Sequence, residues 1–191
     1  PFSFIVIGDT GEGDASQHVL RDSLIRAAAA PDVRFVVLSS DVVYPTGAMK
    51  DYESRFWLPF KGVAKPVYAI PGNHDWYDGL NAFDGLFCSS RDRLSSAKGN
   101  VIGGWQCQQH RSYWAIRLPH NWWIWGADIQ FSKYLDTPQV SYFETMADQR
   151  TVSSCVEQSR ATPRSPGYRG GALSMLQVRG LIERLAKSQA P

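Results

Sequence analysis

Residues 66–75 have the sequence Pro-Val-Tyr-Ala-Ile-Pro-Gly-Asn-His-Asp, an apolar run that ends in a turn and three polar residues. The run over 66–70 is short and contains β-branched and aromatic side chains, and Pro71 and Gly72 close it. This pattern predicts a buried strand followed by a tight turn. The polar residues 73–75 come directly after the strand, where parallel sheets bind their ligands. The stretch therefore predicts both a strand and part of a functional site.

An apolar run followed by an acidic residue occurs twice more, nearer the amino terminus. Residues 2–8 precede Asp9, and residues 33–40 precede Asp41. Short, continuous apolar runs of this kind predict strands that are buried in a parallel sheet. Because the carboxyl ends of parallel strands lie side by side, we expect Asp9, Asp41 and Asn73 to converge at one edge of the sheet.

Helical segments separate these strands. Residues 15–30 have helical spacing, with Val19, Leu20 and Leu24 on the predicted apolar face, and residues 51–60 predict a shorter helix. Alternation of strand and helix at this spacing predicts parallel βαβ units with right-handed crossovers. We therefore predict the α/β class with a βαβαβ core.

The second half of the chain has a weaker pattern. Residues 78–110 are rich in Gly, Ser and Asn without a clear period, which predicts a long loop near the site. Residues 112–118 and 122–128 predict two strands around a turn, either as a hairpin or as two neighbours in a sheet. Residues 137–149 predict a helix.

Composition is that of one ordinary globular core. The chain has 191 residues, of which 43% are hydrophobic and 13% aromatic, and this argues against disorder. The net charge of +2 has no basic stripe, so nucleic acid is not an expected partner. The longest apolar runs are too short to span a bilayer. We assign residues 1–149 to the core and 150–191 to an atypical Arg-, Ser- and Pro-rich tail, in which 174–187 has the pattern of an amphipathic helix.

Oxygen ligands gathered at one sheet edge predict a metal site. The carboxylates of Asp9 and Asp41 would repel each other there unless a cation lay between them. With the amide oxygen of Asn73 and a nitrogen of His74, they suit divalent and trivalent metals. Two such metals can clamp a phosphate ester and lower the pKa of a bridging water. Asp41 is placed to bridge the metals, and His74 to serve the phosphate and the leaving group as cation or proton donor.

At these residues the chain resembles the calcineurin-like metallophosphoesterases. The matching pieces are Gly8-Asp9, Asp41 with Tyr44, and the complete Gly72-Asn73-His74-Asp75. The resemblance covers residues 2–80 well and continues loosely through 122–143. It implies a metallophosphoesterase-like sandwich that is incomplete at its carboxyl end. The implied function is hydrolysis of a phosphoric ester, with phosphomonoesters first, on a phosphorylated small molecule or protein.

Gly11 stands where the first motif of the family usually has a His. In the second motif, Ser40 replaces the Gly that is expected before the Asp. Gly11 together with Tyr44 resembles the purple acid phosphatase branch, in which the Tyr binds ferric iron as a phenolate. The resemblance implies four metal ligands, which are Asp9, Asp41, Tyr44 and Asn73. The implied cofactor is a pair of metal ions, iron with zinc, manganese or a second iron, and His74 and Asp75 are the implied catalytic residues. The same branch implies a secreted or extracytoplasmic location.

Several roles stay open at this level. Tyr44 could bind metal or only pack beside Pro45. Asp75 could orient the His74 ring or cap the turn that follows it. Either His110 or His120 could reach the site. The chain also has three cysteines, of which Cys88 and Cys107 could pair across a loop in an oxidising compartment.

The histidines depart furthest from the family pattern. The chain has four, which are His18, His74, His110 and His120, and it has no Gly-His-x-His. A complete dinuclear site therefore cannot form from the usual ligands of the family. The alternative to an active enzyme is a truncated, frame-shifted or pseudo-phosphatase that keeps the fold. The first residue is Pro1 rather than Met, which suggests a trimmed or processed piece.

Overall fold

The computed structural model describes residues 1–88, 100–102, 105–107, 109–129 and 135–148. The chain divides into two compact units, Pro1–Phe131 and Ser132–Pro191. In the first unit the elements are β1 (Ser3–Ile7), α1 (Ala15–Ala29), β2 (Val33–Leu38), a helical segment of 3-10 and π turns (Met49–Asp51 and Glu53–Trp57), α2 (Leu58–Phe60), β3 (Pro66–Ala69), α3 (Asn73–Trp76), α4 (Asn81–Phe87), β4 (Asn100–Ile102), β5 (Trp105–Cys107), β6 (Trp114–Arg117) and β7 (Trp123–Gly126). The described part of the second unit contains α5 (Thr137–Asp148).

The main sheet has five strands in the order β1-β2-β3-β5-β4. Strands β1, β2, β3 and β5 run parallel, and β4 pairs antiparallel with β5. Ile7 of β1 lies beside Leu38 of β2, which in turn lies beside Ala69 of β3. This register brings the carboxyl ends of the three strands level, so the turns that follow them share one edge. The predicted α/β class with parallel strands is confirmed.

The two strands predicted in the second half are also present. β6 and β7 form a separate antiparallel pair in which Arg117 lies opposite Trp123, with a short helical turn at Pro119–Asn121 between them. Of the two arrangements left open, the structure has the hairpin. Its connection to the main sheet includes the Trp114 indole, whose Nε1 donates to the Ala69 carbonyl at 2.8 Å.

The main core joins the strands of the sheet to the helical segments. Buried side chains of β2 and β3, with partly buried ones of β1, pack with aromatic side chains from the helical segments. The largest of these are Tyr52, Phe56, Phe60, Phe83 and Phe87. Each fully buried side chain of this size stabilises the fold by about 1.5–3 kcal/mol. The turns that carry the polar residues therefore rest on a packed aromatic layer.

The predicted apolar face of α1, formed by Val19, Leu20, Leu24 and the run of Ala residues, is wrong in part. Val19 and Leu20 are 76% and 63% exposed, whereas Leu24 and Ala28 are buried. Gln17 occupies the buried face in the first turns, because its amide accepts from the Gly13 N–H and donates to the Arg55 carbonyl at 2.8 Å. The buried positions Gln17, Leu24 and Ala28 are therefore spaced i, i+7 and i+11. Hydropathy alone predicts that the first of them, a glutamine, is exposed.

Strand β1 is half exposed rather than buried on both faces. Its side chains alternate between partly buried and exposed positions, and Val6 is 54% exposed. β1 stands at the end of the strand order, where one face of a strand meets fewer neighbours. The apolar run at residues 2–8 carries no sign of this position, because a run without polar alternation predicts two buried faces.

The long loop predicted over residues 78–110 is wrong in part, because it contains α4, β4 and β5. The Asp78 carboxylate caps α4 by accepting from the backbone N–H groups of Asn81 and Ala82, each at 3.0 Å. Phe83 and Phe87 then anchor one face of the helix. A helix of seven residues and strands of three are too short to produce a readable period.

Several predictions fall at or beyond the limits of the described residues. The helix predicted over 137–149 is confirmed by α5, whose first turn is capped by the Asp136 carboxylate through the Gln139 N–H at 2.9 Å. The tail at 150–191, with its predicted helix at 174–187, lies outside the described residues. Cys88 is half-buried at the end of α4, whereas the Cys107 side chain lies outside the described residues, so a pairing of the two stays a prediction. In the described ranges, we find no helix with the length and apolar character needed to span a membrane.

Candidate metal centre

The two acidic residues that follow β1 and β2 have left-handed backbone conformations. The φ angles are +53° at Asp9 and +37° at Asp41. Asp reaches this region more readily than most residues, because its short polar side chain can bond locally. The two turns are joined by backbone bonds, with the Asp9 N–H donating to the Ser40 carbonyl at 3.1 Å. Each strand therefore ends in a sharp turn, and the two turns are held together.

The carboxylates of both turns meet at the phenol of Tyr44. The Tyr44 Oη lies 3.0 Å from Asp9 Oδ1 and 3.0 Å from Asp41 Oδ2. A phenol has one proton, so it can donate to only one ionised carboxylate at a time. Burial, the two hydrogen bonds and the two negative charges raise the pKa of Tyr44 above its usual value. Without a cation, the carboxylate oxygen that receives no proton faces a lone pair of the phenol oxygen, and this contact is repulsive. The three oxygens therefore fit a cation that takes oxygen ligands.

The second oxygen of Asp41 contacts the turn that follows β3. Asp41 Oδ1 accepts from the His74 N–H at 2.9 Å. A Cβ at Gly72 would lie 2.0 Å from the same Oδ1 atom, so no larger residue fits there without a shift. Gly72 therefore lets the backbone approach the carboxylate, and this approach brings Asn73 and His74 to the site.

Asp75 holds these turns together from beneath. Its carboxylate is 1% exposed and accepts from the N–H groups of Val42, Val43 and Gly72 at 3.0, 3.3 and 2.9 Å. Burial raises the pKa of Asp75 to about 6, although the three hydrogen bonds act in the opposite direction. These bonds join the turn after β2 to Gly72, three residues before Asp75, and neither of the two contacts left open for Asp75 is among them.

The His74 ring is fixed on three sides. Its Nδ1 lies 2.6 Å from the Pro45 carbonyl oxygen. Because a carbonyl can only accept, Nδ1 carries the proton, and Nε2 is the nitrogen free to exchange one. The ring also lies between two phenols, with centroid distances of 4.4 Å to Tyr44 and 4.9 Å to Tyr77. The Tyr44 ring thus packs against a site residue while its hydroxyl contacts both carboxylates.

Gly11 has a structural reason for lacking the His of the family pattern. A Cβ there would lie 2.3 Å from both the Val42 carbonyl oxygen and the Val43 Cα atom. The Gly11 carbonyl also accepts from the Tyr44 N–H at 3.1 Å. The bond between the Gly11 carbonyl and the Tyr44 N–H fixes the backbone of Tyr44 beside the site. A side chain at residue 11 has no room there, and the Tyr44 phenol lies at the site instead.

The remaining histidines of the chain lie on the surface. His18 is exposed on α1, and His110 and His120 are exposed on either side of β6. Within the described ranges, no three His, Cys, Asp or Glu side chains form a group that could hold a metal. The cluster instead combines the Asp9 and Asp41 carboxylates with a phenol, and Asn73 and His74 follow on the adjoining turn.

Two contacts of the third turn were not predicted from the residue pattern. The Asn73 Nδ2 donates to the Tyr77 Oη at 3.0 Å, and the spacing of i, i+4 was the available signal. The Trp76 Nε1 donates to the buried carboxylate of Asp128 at 3.0 Å, which ties the turn to the end of β7. Neither the Trp–Asp pair nor the Pro45 carbonyl leaves a local signature in sequence, because the partners are distant or belong to the backbone.

The fold and the site define an α/β protein with an acidic oxygen cluster at the carboxyl edge of a parallel sheet. The sequence profile of the calcineurin-like phosphoesterases matches residues 2–139. The chain therefore belongs to the calcineurin-like phosphoesterase family. Comparison with curated protein sequences found no match. Membership indicates metal-dependent hydrolysis of phosphoric esters, with divalent metals as cofactors and phosphorylated compounds as substrates.

Proposed function

We propose that this chain is a phosphomonoesterase of the purple acid phosphatase type, with Tyr44 as the phenolate ligand of an iron ion. The observation that carries the proposal is the Tyr44 hydroxyl shared by Asp9 and Asp41 at 3.0 Å each. Oxygen atoms this close repel one another, and a divalent or trivalent cation bound between them would remove that repulsion. The same cation would lower the pKa of the phenol that burial and the carboxylates raise.

The proposed ligands divide between two positions. Asp9, Asp41 and Tyr44 would hold the iron, and Asp41 with Asn73 would hold a second ion, zinc, manganese or iron. When bound, the metals supply Lewis acidity toward the phosphate and a water of lowered pKa. Asp75 keeps the turns of Asp41 and Asn73 at a constant separation through its three backbone bonds.

His74 is the proposed catalytic side chain. Its Nδ1–H is engaged by the Pro45 carbonyl, which leaves Nε2 to hold a proton for the leaving oxygen or a charge for the phosphate. The flanking rings of Tyr44 and Tyr77 restrict the rotation of the imidazole. We propose a phosphorylated small molecule or protein as the substrate and a secreted or extracytoplasmic location, following the same branch.

A second candidate is a chain that keeps the fold and one metal position but does not turn over substrate. The observation in its favour is that no His follows His120 in this sequence. The described histidines other than His74 are exposed. In this case Asp9, Asp41 and Tyr44 would still bind one ion, while the second position would lack nitrogen ligands.

Metal content and turnover distinguish the two candidates. The purified chain is loaded with iron, zinc or manganese, analysed for metal per chain, and assayed with p-nitrophenyl phosphate at acidic pH. Two ions per chain with turnover support the phosphomonoesterase. One ion without turnover supports the second candidate, and a chain that binds no metal contradicts both.

A further inference from the structure

Tyr77 is a residue of the third turn to which the metal-ligand assignment gives no role. Its hydroxyl accepts from the Asn73 Nδ2 at 3.0 Å, across one turn of backbone. Its ring meets the edge of the His74 ring at 4.9 Å, and the side chain is 50% exposed. Tyr77 therefore contacts both residues of the turn that the proposed mechanism uses, while remaining open to solvent itself.

The chemistry of a carboxamide gives the contact with Asn73 a consequence. An amide binds a metal through its oxygen, because the nitrogen lone pair is delocalised and the nitrogen carries two protons. Rotation of the Asn73 amide by half a turn would present the NH₂ group to the metal and prevent binding. In the structure the Tyr77 hydroxyl accepts from Nδ2, so Oδ1 points away from the phenol.

We propose that Tyr77 is a positioning residue that holds the Asn73 amide with its oxygen available to a metal ion. This inference rests on the proposed function, in which Asn73 is a ligand. Outer contacts of this kind orient ligands and change metal affinity by about 10- to 100-fold. Tyr77 therefore sets the affinity of the second metal position without touching the ion.

The test compares Tyr77→Phe, which removes the hydroxyl and keeps the ring, with Tyr113→Phe. Tyr113 is a half-buried tyrosine near β6 whose hydroxyl accepts from the Arg111 guanidinium at 3.5 Å. Calorimetric titration with Mn²⁺ should show about tenfold weaker binding in Y77F and wild-type binding in Y113F. In an Asn73→Ala background, Y77F should cause no further loss. An unchanged affinity in Y77F, or an equal loss when Asn73 is already removed, would overturn the inference.

A measurement without metal tests the contact itself. In the ¹⁵N–¹H spectrum of the metal-free chain, the Asn73 NH₂ signals should move in Y77F and stay in place in Y113F, with equal melting temperatures. Signals that do not move in Y77F overturn the inference. A wild-type chain that binds no Mn²⁺ overturns the proposed function, and with it the role of Tyr77. An Mn²⁺ affinity in Y77F equal to that of the wild type overturns the inference alone.

Discussion

The hydroxyl oxygen of Tyr44 is the atom at which the two acidic side chains of the site meet. This oxygen lies within 3.0 Å of two carboxylates that belong to different strands. In a partly buried position such contacts are strong when a positive charge balances them and unfavourable when none does. Tyr44 was a candidate ligand on the family pattern alone, and the contacts with both carboxylates now give the assignment a physical basis.

Tyr44→Phe should remove the spectroscopic signature of iron. A ferric phenolate absorbs visible light by charge transfer, so we expect the iron-loaded wild type to be coloured and Y44F to be colourless. Binding of Zn²⁺ should weaken less than binding of iron, because zinc gains less from an anionic oxygen. Absorption spectra of the two loaded chains make the comparison, with Y113F as the control. A visible band that persists in Y44F would contradict phenolate ligation.

Gly72→Ala tests the close approach at the third turn. The added Cβ would lie 2.0 Å from Asp41 Oδ1, so the turn must shift or the carboxylate must rotate. We expect the free energy of unfolding to fall by about 1–3 kcal/mol. Gly85→Ala is the matched control, because its Cβ would meet only the Met49 Cε at 3.9 Å and α4 should gain up to about 1 kcal/mol. Equal urea midpoints for G72A and wild type would show that the turn does not need Gly72.

At the scale of elements, the turns after β2 and β3 act as one unit because Asp75 joins them. The carboxylate bonds two backbone N–H groups of the turn after β2 and one of the turn after β3. Its environment is apolar enough to raise the pKa to about 6. Asp75 therefore holds a proton at a pH where an exposed carboxyl has lost it.

Stability of the metal-free chain should depend on pH through Asp75. Because the folded pKa is about 6 and the reference value is 3.8, the folded state binds the proton more tightly. The contribution of this proton is complete below pH 4 and is lost as the pH rises through 6, by up to about 3 kcal/mol. Urea titrations of wild type and Asp75→Asn across this range should diverge accordingly. Parallel pH profiles would contradict the raised pKa.

The elements also show what a sequence can and cannot predict. Strands β1, β2 and β3 were predictable because each is a short apolar run closed by polar or turn-forming residues. The buried face of α1 was not, because Gln17 is buried through hydrogen bonds to residues that are close only after folding. α4 was missed for a different reason, because seven residues are too few to show a helical period, although its cap at Asp78 is local in sequence.

The site also has features that the sequence predicts and features that it does not. The convergence of Asp9, Asp41 and Asn73 was predictable, because parallel strands bring their carboxyl ends to one edge. The partners that orient His74 and Asn73 were not, because a backbone carbonyl at Pro45 has no sequence signature. Tyr77 could have been found from its i, i+4 spacing to Asn73, although that spacing is common to many unrelated pairs.

At the scale of the whole molecule, the chain combines a family fold with a reduced set of histidines. The profile match spans residues 2–139, and the described sheet places the family's first motifs at one edge. The chain contains four histidines, and His74 is the one brought to the cluster. We therefore expect metal binding at this edge to rest chiefly on oxygen ligands, and we propose Asp41, which contacts both Tyr44 and the His74 turn, as the central ligand.

The most direct measurement of this claim is the metal content of Asp41→Asn beside that of Asp22→Asn, an exposed carboxylate on α1. Both variants keep the volume of the side chain and remove one negative charge, so net charge alone affects them equally. After loading with iron and dialysis, we expect D22N to keep the metal content of the wild type. D41N should bind iron at least tenfold more weakly and should therefore lose most of it during dialysis. Metal content in D41N equal to that in D22N and wild type would contradict the metal centre at the ends of β1, β2 and β3.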